Sequence, residues 1–201
     1  MPDNNFVKRK LLFPMLLLTT ILPAFGKNSP ALAHTTILII RHAEKPATGT
    51  GLTPEGEKRA QAYVHYFRDF TVDSKPFALD YIIASADSKN SHRPRLTMEP
   101  LSKAAGLSID NQFGSKQFQE LANALLASPH GKHMLICWHH VEIPDLIRAL
   151  HGNPDQILPE GKWPDQTFNW IVLLRYDANG QLLDSKRIQE NLMPGDTNAN
   201  Q

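Results

Sequence analysis

Apolar positions follow two rhythms along this chain. Residues 35–40, TTILII, form an unbroken apolar and β-branched run that ends abruptly in Arg41, His42, Glu44 and Lys45. Residues 80–85 (DYIIAS) and 133–138 (HMLICW) repeat the design, each a short apolar run giving way to polar residues. Runs of this length and composition predict strands buried on both faces of a parallel sheet. Between them the apolar residues recur every three or four positions. Ala60, Tyr63, Val64 and Phe67 predict a helix over 53–70, and Tyr63, Phe67 and Phe70 read as core. Thr53-Pro54-Glu55 starts it with a capping hydroxyl, a proline suited to the first helical position and an acid that complements the dipole.

A second helix is expected from Ser91 or His92 to Ala105, stopped by Gly106, with Pro100 imposing a kink or a late start. Residues 107–110 predict a short strand. Phe118, Leu121, Ala122 and Leu125 mark a third helix, and Ile143, Leu146, Ile147 and Leu150 a fourth, with Pro144 in its first turn and Gly152 beyond its end. Residues 153–166, rich in Pro, Gly and Trp, read as an irregular loop. Residues 169–176 and 181–189 flank Asn179-Gly180, the signature of a closing β-hairpin. The sum is a three-layer α/β/α sandwich: a mainly parallel sheet with helices on both faces and a C-terminal antiparallel hairpin.

The first 33 residues follow a different pattern. Lys8-Arg9-Lys10, an apolar run over 11–22 and the small-residue site Ala31-Leu32-Ala33 predict a secretory signal peptide cleaved before His34. The run is broken by Pro14, and it is shorter than the roughly 20 apolar residues that a membrane span requires. The expected organisation is a signal peptide over 1–33, one domain over 34–193 and a disordered tail over 194–201. The location would be periplasmic or secreted, with no stable membrane association after cleavage.

Removing that segment takes four basic residues and Asp3 from the 21 basic and 20 acidic ones, leaving 17 and 19. A chain at −2 has no basic surplus to attract nucleic acid or an anionic membrane. The single cysteine, Cys137, cannot form an internal disulfide, and its apolar surroundings suit a buried, unreactive thiol. Of nine histidines, His130, His133, His139 and His140 invite a metal reading. No zinc-like carboxylate pattern accompanies them, and adjacent side chains on a strand diverge, so no metal is expected.

In α/β sheets, ligands sit beyond the carboxyl ends of the strands. Three such ends are expected on one edge: Arg41-His42, the loop after Ser85, and His139-His140. Two imidazoles with one or two arginine forks suit phosphoryl transfer, in which guanidinium groups neutralise oxygens and one imidazole attacks phosphorus.

The residues that carry this chemistry also resemble a family. R-H-A-E-K-P at 41–46 is similar to the Arg-His-Gly/Ala-Glu signature of the histidine phosphatase superfamily, the relatives of phosphoglycerate mutase. Three further stretches fall in that family's order: L-T-P-E-G-E-K-R-A at 52–60, A-S followed by R-P-R-L-T-M-E-P-L at 93–101, and L-I-C-W-H-H-V-E-I-P at 135–144. The resemblance implies His42 as nucleophile, Arg41 and Arg93 as phosphate ligands and His139 as the second histidine, in both catalysis and phosphate binding. Arg95 is a rival to Arg93, whose spacing from Thr97 fits better. For the proton donor Glu142 is the first candidate, with Asp87 and Glu44 as alternatives.

The implied activity is an exported, metal-independent and cofactor-free phosphomonoesterase acting on a small phosphorylated substrate through a phosphohistidine. A mutase-like phosphotransferase and a phosphate-binding or regulatory module with degraded activity are the alternatives. Two departures stand out. Trp138 replaces the usual glycine before the second histidine and either narrows the pocket or points into the core, and His140 replaces a small residue and is expected at the pocket rim. Pocket walls are expected from the 44–51 loop, the 86–92 loop and the Trp163 loop.

Overall fold

All six residues of the first strand, β1 (Thr36–Arg41), are buried, as its uninterrupted apolar composition demands of a strand in mid-sheet. The structure is a computed structural model that describes Met1 and residues 30–196. After β1 come α1 (Pro54–Arg68), a two-residue hairpin β2 (Thr71–Val72) and β3 (Lys75–Pro76), β4 (Tyr81–Ala84), α2 (Arg93–Ala105), β5 (Ile109–Asp110), α3 (Phe118–Ala127) and β6 (His133–Trp138). Then follow α4 (Ile143–Ala149), α5 (Pro154–Ile157), β7 (Trp170–Tyr176) and β8 (Leu182–Gln189). The main sheet runs β5-β4-β6-β1-β7-β8, parallel from β5 to β1 and antiparallel across β1, β7 and β8. The mainly parallel sheet with a closing antiparallel hairpin is the arrangement read from the sequence.

Alternation along the strands divides the core into two layers. Ile37, Ile39, Met134, Ile136 and Trp138 pack with α3, α4 and α5, whereas Leu38, Ile40, Leu135 and Cys137 pack with Tyr63 and Phe67 of α1 and Met98 and Leu101 of α2. Cys137 is buried and free, with burial holding its thiol pKa well above the ordinary value. Among the described residues no helix is long and apolar enough to cross a membrane.

Helix α2 and the 153–166 loop depart from expectation, and two expected boundaries fall next to packed backbone. Helix α2 starts at Arg93 and runs through Pro100 without a break, ending on Gly106 in the left-handed conformation that glycine tolerates. The 153–166 loop holds a short helix, because the Asn153 side chain caps Asp155 N–H (3.1 Å) and Pro154 suits the first helical position. The boundary before His34 falls inside a packed turn: Leu32 and Ala33 are buried, and Lys132 donates to the Ala33 carbonyl. Most of the expected signal peptide lies outside the described residues. The tail expected from 194 is held as far as Asp196, which is buried and ion-paired with Arg59 (2.8 Å), and residues 197–201 lie outside the description.

Beneath that C-terminal turn Glu190 is fully buried, accepting from the Tyr63 hydroxyl (3.0 and 3.2 Å) with Arg59 at 3.7 Å. Burial outweighs both partners and pushes its carboxyl up to about 8. Because the folded pKa exceeds the unfolded one, the folded state holds the extra proton between them. The resulting stability is complete below the ordinary carboxyl range and lost as pH rises through about 8. Across that window the group should remove about 1.4 kcal/mol of stability per pH unit. Melting curves of Glu190→Gln should therefore flatten between mildly acidic and mildly alkaline pH. An unchanged pH slope would show that Glu190 is not the titrating group.

Candidate active site

Strand register makes the site. Arg41 pairs with Trp138 at the aligned carboxyl ends of β1 and β6, and His42 N–H continues the ladder onto the Trp138 carbonyl at 3.0 Å. The residue after each strand is a histidine, and the rings of His42 and His139 meet edge-on with centroids 5.2 Å apart. On the other side of β6, β4 ends at Ala84 opposite Cys137 and leads by Ser85 toward Arg93, the first residue of α2. Thr97 ties the two arms together: its hydroxyl accepts from Ala43 N–H (2.9 Å) and donates to the Arg93 carbonyl (2.8 Å).

His42 is 2% exposed. Its Nδ1 lies 2.7 Å from the Ala43 carbonyl, which assigns the proton to Nδ1 and leaves the Nε2 lone pair free. Burial first, then His139, Arg41 and Arg93, hold its pKa well below that of ordinary imidazole, against the pull of the Ala43 bond. His139 is lowered to about 4 by burial and by Arg93 and Arg41. Both rings are thus neutral near pH 7, one presenting a nucleophilic nitrogen and the other able to donate an N–H.

The two arginines are each half committed. Arg41 is fully buried, and burial lowers its pKa to about 10. Its Nη1 donates to the carbonyls of Pro164 (3.3 Å), Asp165 and Thr167 (3.1 Å), while the guanidinium lies 3.8 Å over the Phe168 ring. The opposite edge keeps a buried Nε–H without a partner and an Nη2 at 3.5 Å from Asp165 Oδ1. Arg93 repeats the pattern, with Nη1 on the Gly49 carbonyl (3.0 Å), Nη2 on that of Asn90 (3.5 Å) and a buried Nε–H without a partner. Buried unsatisfied donors are costly and uncommon, and two of them beside two imidazoles suit an anion.

Arg95 stands apart, bound to Asp87 (2.8 Å) and Glu99. Each candidate acid also has a basic partner: Asp87 on Arg95, Glu44 on the buried Arg59 (2.8 Å) and Glu142 on Lys116 (2.5 Å). Glu142 is itself buried at the N-cap of α4, whereas its Lys116 partner is 80% exposed. Trp138 points into the core and donates Nε1–H to the Ser115 carbonyl, so it does not narrow the pocket. His130 and His133 bond the Ser128 and Ala78 carbonyls, His133 at the far end of β6. No group of three or more His, Cys, Asp or Glu is placed to hold a metal among the described residues.

A cavity of about 490 Å³ opens beside Arg93, walled by residues of the 44–49 loop and by Gln166 and Phe168. Two of the three expected walls are therefore present, and the 86–92 loop instead supports Arg93 through Asn90. Sequence reasoning missed Asp165 and Phe168. Asp165 Oδ1 lies 3.2 Å from Lys45, 3.5 Å from Arg41 and 3.3 Å from His140 Nε2, which puts His140 at the rim. Nothing periodic marks a carboxylate in a Pro- and Trp-rich loop.

No family model and no curated protein matches the chain. Solved structures do. A phosphoglycerate mutase from Plasmodium falciparum is 20% identical with a TM-score of 0.53, over 80% of this chain and 94% of that one. A phosphoserine phosphatase from Entamoeba histolytica, solved with 3-phosphoglyceric acid, is 15% identical with a TM-score of 0.51, over 79% of this chain and all of that one. At this identity the likeness is one of fold.

Proposed function

We propose that this chain, with the fold of the phosphoglycerate mutase-like histidine phosphatases, is a phosphomonoesterase that works through a phosphohistidine at His42. One observation carries the reading: two neutral imidazoles at aligned strand ends, flanked by two buried arginine Nε–H groups without partners. The phosphoryl oxygens would take those donors and an N–H of His139. His42 Nε2 forms a bond to phosphorus as the ester P–O bond breaks, and the leaving oxygen takes a proton. Water then attacks phosphorus, His42 Nε2 departs and inorganic phosphate leaves.

Glu142 is our choice for the proton donor. It lies three residues beyond His139, and its partner Lys116 is an exposed side chain that bound substrate could displace. Glu44 and Asp87 are held by less exposed arginines. The basic, apolar and small-residue order of the first 33 residues supports export, with a small phosphorylated substrate met outside the cytoplasm.

A second reading, an anion-binding module without turnover, is favoured by the three carbonyls on Arg41 Nη1 and by Asp165 on its Nη2. Incubation with an aryl phosphate, quenched in alkali, separates the two. Turnover with an acid-labile phosphoryl group on the His42 peptide is the expected result. Tight vanadate binding without turnover would select the module, and turnover without a labelled histidine would exclude the phosphohistidine route.

A further inference from the structure

Both walls of the cavity beside Arg93 are tied to one residue near the end of the chain. On one side the wall begins at Glu44, two residues after His42. Glu44 is held by Arg59 of α1, which is 3% exposed and donates Nε–H to Glu44 Oε1 at 2.9 Å. The same guanidinium forms a two-point fork on Asp196, Nη1 to Oδ2 at 3.0 Å and Nη2 to Oδ1 at 2.8 Å. The Glu44 backbone packs closely on α1 at Gly56, where a Cβ would sit 2.5 Å from its carbonyl oxygen.

On the other side the wall is Phe168, whose ring supports Arg41 at 3.8 Å and stands 6.4 Å from His42. Its neighbour Asn169 donates from Nδ2 to the Asp196 carbonyl at 2.6 Å and accepts from Glu190 N–H at 2.7 Å. Asp196 is fixed in turn, its carboxylate accepting from the N–H groups of Leu192 (3.0 Å) and Met193 (2.8 Å). Its side chain reaches one wall and its main chain the other, through a residue that is itself buried at the end of a largely exposed turn.

We propose that Asp196 is a positioning residue that sets the separation of the Glu44 and Phe168 walls and, through Phe168, the aim of the Arg41 edge at the phosphoryl group. Misplacing a reacting geometry by about 1 Å can cost about 10²-fold in rate, so the clamp acts on catalysis and on anion affinity as well as on stability. The turnover readout rests on the phosphatase reading, whereas anion affinity does not.

The test uses full-length protein assayed well below each variant's melting temperature. Asp196→Ala is expected to lower kcat/KM for an aryl phosphate by about 10- to 100-fold and to weaken vanadate binding by about 10-fold. Glu190→Gln removes only a 3.7 Å contact with Arg59 and keeps the Glu190 N–H on the Asn169 carbonyl, so it leaves the Asp196 links to both walls in place and should leave both readouts within about twofold. If the wild-type chain has no turnover, the phosphatase reading fails and vanadate affinity alone decides the clamp. Folded Asp196→Ala with wild-type kcat/KM and vanadate affinity overturns the proposal, as does an equal loss in Glu190→Gln. Should Asp196→Ala not fold, Asn169→Ala, which cuts only the Phe168 link, must still lower vanadate affinity or turnover by at least about threefold; no change there overturns it too.

Discussion

A His42→Ala variant should lose roughly 10⁴-fold or more in turnover while keeping its fold. The nucleophile has no substitute within the same geometry. His139 is the neighbouring ring, but it follows β6, and its expected work is to donate to a phosphoryl oxygen. The structural cost should be small, since His42 makes one side-chain hydrogen bond, to the Ala43 carbonyl, worth about 1 kcal/mol. Removing the ring also relieves a buried polar group crowded by Arg41, Arg93 and His139. Vanadate and inorganic phosphate should still bind, because the Nε–H groups of both arginines remain. Steady-state assays with melting curves measure both effects. Surviving turnover in a folded variant would remove His42 as the nucleophile, and a large drop in melting temperature would assign it a structural role instead.

The parts of this site that could be read in the sequence are those that a strand delivers. An apolar run that stops at Arg41-His42 and another that stops at Trp138-His139 are two copies of one signal. Parallel pairing with Arg41 opposite Trp138 is enough to bring the histidines together. Arg93 entered through the family resemblance, with its spacing from Thr97 deciding it over Arg95, and the Thr97 hydroxyl bonds the Arg93 carbonyl at 2.8 Å. What stayed hidden depends on loops and on burial. Asp165 and Phe168 reach the site from a segment whose path is set by the α5 cap and by the buried Trp163, whose Nε1–H donates to the Thr167 carbonyl at 2.9 Å. Asp196 sits in a polar stretch that composition alone marks as disordered, and the buried Arg59 guanidinium and the Asn169 amide, both far away in sequence, give it a reason to fold back. The same logic governs Glu44. In sequence it could be read as an acid for the leaving group, but the arginine that holds it stands 15 residues further on, in α1.

The choice between Arg93 and Arg95 is the sharpest remaining test, because the two lie two positions apart on either side of Pro94 and differ only in where the helix points them. Arg93 is anchored on the Gly49 and Asn90 carbonyls, keeps a buried Nε–H free of partners, and is close enough to depress both His42 and His139. Arg95 spends its guanidinium on Asp87 and Glu99. A positioned donor to the charge that develops on the phosphoryl oxygens is worth about 10²- to 10³-fold, so Arg93→Ala should lower kcat/KM by that much. Arg93→Lys should recover only part of the loss, since an ammonium keeps the charge but not the planar fork. Arg95→Ala removes partly exposed ion pairs and should change kcat/KM by less than about threefold. The comparison is read on one aryl phosphate at one pH, with melting curves to confirm that all three variants are folded. If Arg95→Ala proves the more damaging, the phosphate must lie on the Asp87 side of α2, and the pocket between Arg93 and Phe168 is not where the ester binds.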